Sequence, residues 1–348
     1  MADLTLQRAT LRALLALPTP LLRALVGGGV VHVGGRTLDP RLQFLAAQAR
    51  RAPPLTSLAP ADARAASAQG LALVTGKLEP GVRVEHLEIP GGETPIRARA
   101  YRAREQDAAA PLMVYAHFGG GVIGDLDTCE AFCSILAAVA GCPVLSIDYR
   151  LAPEHRFPAG LEDFLAACRF ARASAERFGA PAGHFAVGGD SMGGNFAAVA
   201  ARQLREAGES APVLQLLIYP AVDLASEAPS MTTYADAYPL TRATMEWFMG
   251  HYLNPSDSVA EPRLSPLRAP TLAGLPRAVV ATAGFDPLLD QGEAYVRALR
   301  AAGVPVAYRC FDALAHGFTA FTGAVPAADA ACHEIAQLVR GALAVTAE

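Results

Sequence analysis

Residues 189–193 read Gly-Asp-Ser-Met-Gly, directly after the apolar run HFAVG and at the start of the helical pattern MGGNFAAVAARQL. A serine on so tight a strand-to-helix turn is held in strained backbone, with its hydroxyl exposed at the C-terminal edge of a sheet. A hydroxyl is a weak nucleophile unless a base takes its proton, and that base needs an acid to orient it. Ser191 is therefore the candidate nucleophile of an acyl transfer. Eight histidines compete for the base. His316, in DALAHGF, lies just past the last apolar run, in a glycine-containing loop that can reach over a sheet edge. His117 precedes a glycine run and is expected to tie its own loop down. His32, His86, His155, His184, His251 and His333 have no relation to strand ends on the active edge. For the acid, Asp286 follows AVVATAG after one residue, Asp290 sits one turn into the next helix, and Asp312 comes shortly before His316. Asp286 is preferred because the order Ser191, Asp286, His316 matches one established arrangement of these three groups. Asp290 is expected to support the Asp286 loop, and Asp190 to support the nucleophile.

The second chemical signal is AHFGGGVIGD at 116–125, three glycines in series after the apolar run PLMVY. Glycine costs backbone entropy on folding, roughly 0.5–1 kcal/mol per position against alanine in regular structure. The run makes sense if bare backbone amides must approach a charge. Attack on an ester carbonyl creates an oxyanion, and one well-placed N–H donor is worth about 10²–10³ in rate. The run follows the third expected strand of the sheet, which puts its loop opposite Ser191. The Met192 amide, immediately after the nucleophile and at a helix N-terminus, is the expected third donor.

These loops need a scaffold. The stretches VEHLEI and PIRARAYR flank PGGET, a hairpin signal with a longer turn. Further apolar runs at 112–116, 143–148, 184–188, 214–219, 278–283 and 306–311 alternate with helical patterns at 128–140, 160–178, 192–207, 288–302 and 327–345. Repeated strand–helix units imply an α/β fold with a mostly parallel sheet of eight strands, covered on both faces, its first two strands running against the rest. The first ~75 residues show no strand pattern and read as short helices, two of them opened near Asp39 and Asp62. Residues 224–276 break the alternation, an excursion of the length expected of a functional insertion such as a lid.

Composition narrows the classes. With 29 Lys plus Arg against 33 Asp plus Glu and no basic run, the chain has no electrostatic footprint for nucleic acid. The apolar N-terminal stretch LRALLALPTPLLRALV has an uncharged core of ten residues, interrupted by Pro18 and Pro20. A membrane-spanning helix needs ~20. Asp3 lies upstream of the stretch and no basic segment precedes it, so an export signal is not expected and a cytoplasmic location is. The six cysteines are expected to be free thiols. Cys129 and Cys133 could make a metal or redox pair, but no second pair with zinc spacing accompanies them.

Taken together, the motifs resemble those of the bacterial hormone-sensitive lipase family of α/β-hydrolases. That family carries His-Gly-Gly-Gly, DYRLAPE, GDSAGG, DPL and HGF in this order. Here the corresponding stretches are His117-Phe118-Gly119-Gly120, DYRLAPEHRFP (148–158), GDSMGGN (189–195), DPLLDQG (286–292) and HGF (316–318). The likeness runs from about residue 80 to the C-terminus. It implies the α/β-hydrolase fold with a helical cap: residues 1–75 as an N-terminal cap segment, 76–223 and 258–348 as catalytic core, and 224–257 as a cap insertion.

The likeness also implies a carboxylesterase acting on short- to medium-chain esters, with Ser191, His316 and Asp286 as catalytic triad and no metal or organic cofactor. The family spacing from His117 puts the oxyanion donors at Gly119 and Gly120, beside Met192, which stands for the usual alanine. Phe118 replaces the family's first glycine, and Gly121 stands where a bulky aromatic often follows. Both are pocket candidates, with the Phe118 ring expected to fill the space that Gly121 leaves. The implied partner is a small-molecule ester, and an apolar cap surface is a candidate contact for a homodimer. Two readings stay open beside this one: an amide, lactone or carbamate hydrolase on the same triad, and a non-catalytic small-molecule-binding relative.

Overall fold

The computed structural model describes residues 2–344 of the chain. The chain begins with helices α1 (Ala2–Leu15), α2 (Thr19–Ala24), α3 (Pro40–Ala49) and α4 (Pro60–Val74). Asp39 caps α3, accepting the amides of Arg41 at 2.7 Å and Leu42 at 3.4 Å, whereas Asp62 lies inside the first turn of α4 rather than at its cap. The expectation of no strand in this segment needs correction. His32–Val33 (β1) and Arg36–Thr37 (β2) pair as a small hairpin. Gly34 and Gly35 turn it at φ 59° and 77°, the positive φ at both central positions that a two-residue hairpin loop requires.

The main sheet has eight strands: β3 (Val82–Ile89), β4 (Ile96–Ala103), β5 (Leu112–Ala116), β6 (Val144–Ile147), β7 (Phe185–Asp190), β8 (Leu214–Ile218), β9 (Arg277–Phe285) and β10 (Val306–Ala315). Their order across the sheet is β10-β9-β8-β7-β5-β6-β4-β3. Of the first two strands, only β4 opposes the rest. It is antiparallel to β6 on one side and to β3 on the other. A hairpin reverses the chain, so the two could not both oppose the other six strands, and β3 regains the common direction.

Helices α5 (Glu130–Ile135), α6 (Ala159–Ser174) and α7 (Met192–Glu206) follow β5, β6 and β7. The short α8 (Ser230–Thr233) and α9 (Arg242–Tyr252) lie in the excursion, and α10 (Leu289–Ala301) and α11 (Pro326–Ala344) follow β9 and β10. Val345, the expected last residue of α11, lies outside the described residues.

Side-chain alternation divides the sheet between two cores. Leu112, Val114 and Ala116 of β5 pack with α6 and α7, whereas Met113 and Tyr115 face α5, α11 and much of the N-terminal segment. With every residue of β5 buried, the strand reads as a continuous apolar run. Cys129 and Cys133 are buried free thiols within the second core, their sulfurs 3.7 Å apart.

Candidate active site

The register of the central strands positions the site. Ala116, the last residue of β5, pairs with Gly189 of β7, so the glycine run leaves the sheet beside the turn that carries Ser191. That turn is tight: Ser191 has φ 55° and ψ −114°, a region a side chain adopts only when its surroundings over-determine it. Its amide donates to Ile218 O at 2.9 Å and its carbonyl accepts from Ala221 N at 3.1 Å, which locks the turn to the end of β8. The elbow glycines are dictated by contact. A Cβ on Gly193 would lie 2.0 Å from Ala116 O, and one on Gly189 2.3 Å from the Gly193 carbonyl carbon.

Ser191, His316 and Asp286 form one hydrogen-bonded chain. Ser191 Oγ lies 2.9 Å from His316 Nε2, and His316 Nδ1 lies 2.8 Å from Asp286 Oδ2. All three are buried, Asp286 completely. Asp286 Oδ1 accepts the Leu288 amide at 2.8 Å, so both carboxylate oxygens are engaged and the group is aimed at the imidazole. The arrangement fixes one tautomer: Nδ1–H donates to the carboxylate and Nε2 faces the hydroxyl as an acceptor. Asp312 is elsewhere, 69% exposed and paired with Arg36 at 2.8 Å.

The expected supporting residues each have an observable task. Asp290 Oδ2 accepts the Ser230 amide at 2.8 Å, and Ser230 Oγ donates to Pro287 O at 2.7 Å, which ties α8 to the loop carrying Asp286. Asp190 lies beneath the elbow, where its Oδ2 accepts from Tyr219 Oη and Thr319 Oγ1, both at 2.9 Å. Burial pushes its carboxyl pKa above the usual range. His117 is fully buried, stacked on Tyr149 with ring centroids 4.4 Å apart, and its Nδ1 lies 2.7 Å from Phe118 O. Burial pushes its pKa down, favouring the neutral ring that can donate to that carbonyl.

The glycine loop rises on positive φ at Gly119 (129°), Gly120 (62°) and Gly121 (73°), whereas Phe118 keeps an ordinary negative φ. Among the described residues, the amides of Phe118 to Gly121 and of Met192 meet no acceptor. Met192 is the first residue of α7, where an amide has no partner within the helix. Aromatic rings of α9 press on the loop: a Cβ on Gly120 would lie 2.3 Å from Phe248 Cγ, and one on Gly121 2.6 Å from Tyr252 Cδ2. Here the sequence reading of the pocket is corrected. The ring over Gly121 is Tyr252 at the end of α9, and Phe118 is left half-exposed.

With this geometry in view, comparison with known proteins is direct. A family model described as the α/β-hydrolase fold matches residues 113–320. The chain belongs to the α/β-hydrolase family. The carboxylic ester hydrolase LipN of Mycobacterium tuberculosis is 44% identical over 87% of this chain and 82% of its own length. An ethyl acetate hydrolase of Pseudomonas putida is 36% identical over 79% of this chain and 88% of its own. Among solved structures, a serine-to-alanine mutant of an α/β-hydrolase enzyme from the metagenome of Lake Arreo matches with a TM-score of 0.83 at 39% identity. It covers 87% of this chain and 98% of that one. The hydrolase described here is a carboxylic ester hydrolase, of the hormone-sensitive-lipase-like type that its motifs resemble.

Several residues of this hydrolase site escaped the sequence reading. Tyr219 directly follows β8 at φ 33°, and its ring centroid lies 4.7 Å from that of His316. Its place at a strand end on the active edge was a usable signal. Phe248 and Tyr252 sit on a helix whose placement over the loop is tertiary, so nothing local marked them. Ser230 is one of many serines and gave no signal.

Proposed function

We propose that this esterase cleaves short- to medium-chain carboxylic esters through an acyl-enzyme on Ser191. The observation that carries the reading is the Ser191–His316–Asp286 chain, with its 2.9 Å and 2.8 Å links. Ser191 Oγ attacks the carbonyl carbon while His316 Nε2 takes the hydroxyl proton. Asp286 stabilises the imidazolium that forms. Collapse of the tetrahedral intermediate breaks the bond to the alkoxy oxygen, which leaves as alcohol with the proton from His316. Water, deprotonated by the same imidazole, then attacks the acyl group and regenerates Ser191. The oxyanion of each tetrahedral state is held by the amides of Gly119, Gly120 and Met192, the register in which position 118 needs no positive φ.

Residues 1–75 and 224–257 form the cap that closes the substrate site. Contact of the Phe248 and Tyr252 rings with Gly120 and Gly121 supports this reading. It makes those rings walls of the acyl or alcohol pocket. A relative whose name specifies ethyl acetate supports short-chain esters as substrates. The test is kinetic, with p-nitrophenyl esters of increasing acyl length beside matched anilides. Ester cleavage should exceed anilide cleavage and peak at short to medium chains. Ser191→Ala and His316→Ala should each lower kcat by at least about 10³ while the variants stay folded. Retention of more than about one part in 10³ by Ser191→Ala would remove it as the nucleophile.

A further inference from the structure

The amides assigned to the oxyanion belong to a loop that is held largely from outside. Gly119, Gly120, Gly121 and Gly124 all have positive φ. A run of glycines has the largest conformational freedom to lose, and a small backbone rotation would swing an N–H off its target. One internal turn helps, in which Gly119 O accepts the amides of Val122 and Ile123, both at 3.0 Å. His117 Nδ1, 2.7 Å from Phe118 O, adds a second local tie, and the remaining ones reach across the fold. Gly121 O accepts the Ala152 amide at 2.8 Å, joining the loop to the segment at 148–158. On either side of that bond lies one cation from the N-terminal segment. Arg64, on α4, donates from Nε to Val122 O at 2.8 Å and from Nη2 to Ala152 O at 2.8 Å. Glu154 takes the outer edge of the guanidinium, at 3.0 Å from Nη1 and 2.5 Å from Nη2.

This arrangement differs from an ordinary surface ion pair. The Arg64–Glu154 contact is partly exposed, with the two side chains 28% and 53% accessible, and such pairs contribute little on their own. The two carbonyl contacts are the specific feature. They are charge-assisted, they use the fixed fork of the guanidinium, and they join the glycine loop at Val122 to the neighbouring segment at Ala152.

We propose that Arg64 is a positioning residue for the oxyanion amides, holding the 119–123 loop so that the Gly119 and Gly120 N–H groups converge with that of Met192. The inference rests on the acyl-transfer reading and adds a role for the N-terminal segment. Beyond shaping the pocket, that segment sets the geometry of transition-state stabilisation. Misplacement of a stabilising group by about 1 Å costs on the order of 10² in rate.

The experiment compares wild type, Arg64→Met and Arg64→Lys on p-nitrophenyl acetate, with thermal melts and the affinity of phenylboronic acid, which forms a tetrahedral anionic adduct on an active serine. Arg64→Met should lower kcat by about 30- to 100-fold with KM within about threefold. Boronate affinity should weaken by a factor similar to that in kcat/KM. Arg64→Lys, which keeps the charge but cannot fork to both carbonyls, should recover part of the loss. A role in stability alone would lower the melting temperature and leave kcat of the folded enzyme unchanged. Wild-type kcat in folded Arg64→Met, a loss confined to KM, or unchanged boronate affinity overturns the proposal. Should Arg64→Met fail to fold, Arg64→Lys decides, with a kcat loss of at least about fivefold expected and wild-type kcat contradicting it. An active Ser191→Ala would instead defeat the acyl-transfer reading itself, whatever Arg64 does.

Discussion

The Ser191 turn and the glycine loop leave the sheet side by side, yet they are built in opposite ways. The turn is defined by its nearest neighbours. Ser191 hangs between β7 and α7, its backbone bonded to β8, with Gly189 and Gly193 pressed against each other and against Ala116 O. The glycine loop is defined by groups distant in sequence: Arg64 from α4, Ala152 from the segment after β6, and Phe248 and Tyr252 from α9. One half of the machinery is therefore rigid because its main chain packs directly on the main chain of the adjoining strands β5 and β8. The other half is as rigid as its supports. Substitutions in the turn should fail outright, whereas substitutions in the loop should be tunable through their partners.

The largest effect expected from this contrast is at Gly193. An alanine there puts its Cβ 2.0 Å from Ala116 O, a backbone atom that β5 holds in place. Gly193→Ala should cost about 1–3 kcal/mol of stability by denaturant unfolding, and activity by at least about 10². A stable, active Gly193→Ala would show that the turn has slack.

Within the loop, the nature of the neighbour sets the outcome. A Cβ on Gly119 meets Ile123 O at 2.0 Å, again backbone, whereas one on Gly120 meets the Phe248 ring, a side chain that can be trimmed. Both single alanine variants should lose on the order of 10² in kcat on a small acetate ester. Phe248→Ala should restore part of the Gly120→Ala loss and none of the Gly119→Ala loss. Phe118→Gly should keep kcat within about tenfold, because no donor is removed. A crippled Gly121→Ala beside a near-wild-type Gly119→Ala would move the donors to Gly120 and Gly121.

The smallest effect concerns the floor beneath the turn. Burial raises the Asp190 carboxyl pKa above its unfolded value. Its stabilising contribution is therefore complete below the unfolded pKa and is lost as pH rises through the folded pKa. Relative to wild type, Asp190→Asn should gain stability as pH increases from that of an ordinary carboxyl toward neutrality, because the amide carries no charge to bury. Denaturant unfolding at several pH values measures that slope, and an opposite slope would mean that the hydroxyls of Tyr219 and Thr319 outweigh burial.

The same contrast explains what was legible in the sequence. The turn announced itself because strand, glycine, serine, glycine and helix are contiguous, and Asp286 and His316 stood out because each directly follows a strand. The strand count was readable from apolar runs, whereas the direction of β3 required following the hairpin through to β6. The Gly34-Gly35 turn carried a hairpin signal that the surrounding helical texture masked. Of the supports of the glycine loop, Ala152 lies in the DYRLAPE stretch, whereas those on α4 and α9 left no local trace. Arg64 is one arginine in an alanine-rich helix, and Tyr252 ends an amphipathic one. Their tasks exist only once α4 and α9 have packed over the sheet edge.

The central claim, that Ser191 is the acylated residue, is tested most directly by labelling with a fluorophosphonate ester and measuring intact mass and peptide masses. The account predicts one adduct per chain, on the peptide containing Ser191, with esterase activity lost in proportion to labelling, and no adduct on Ser191→Ala. Stoichiometric labelling of Ser191→Ala, or an inactivating adduct on any other residue, would contradict it.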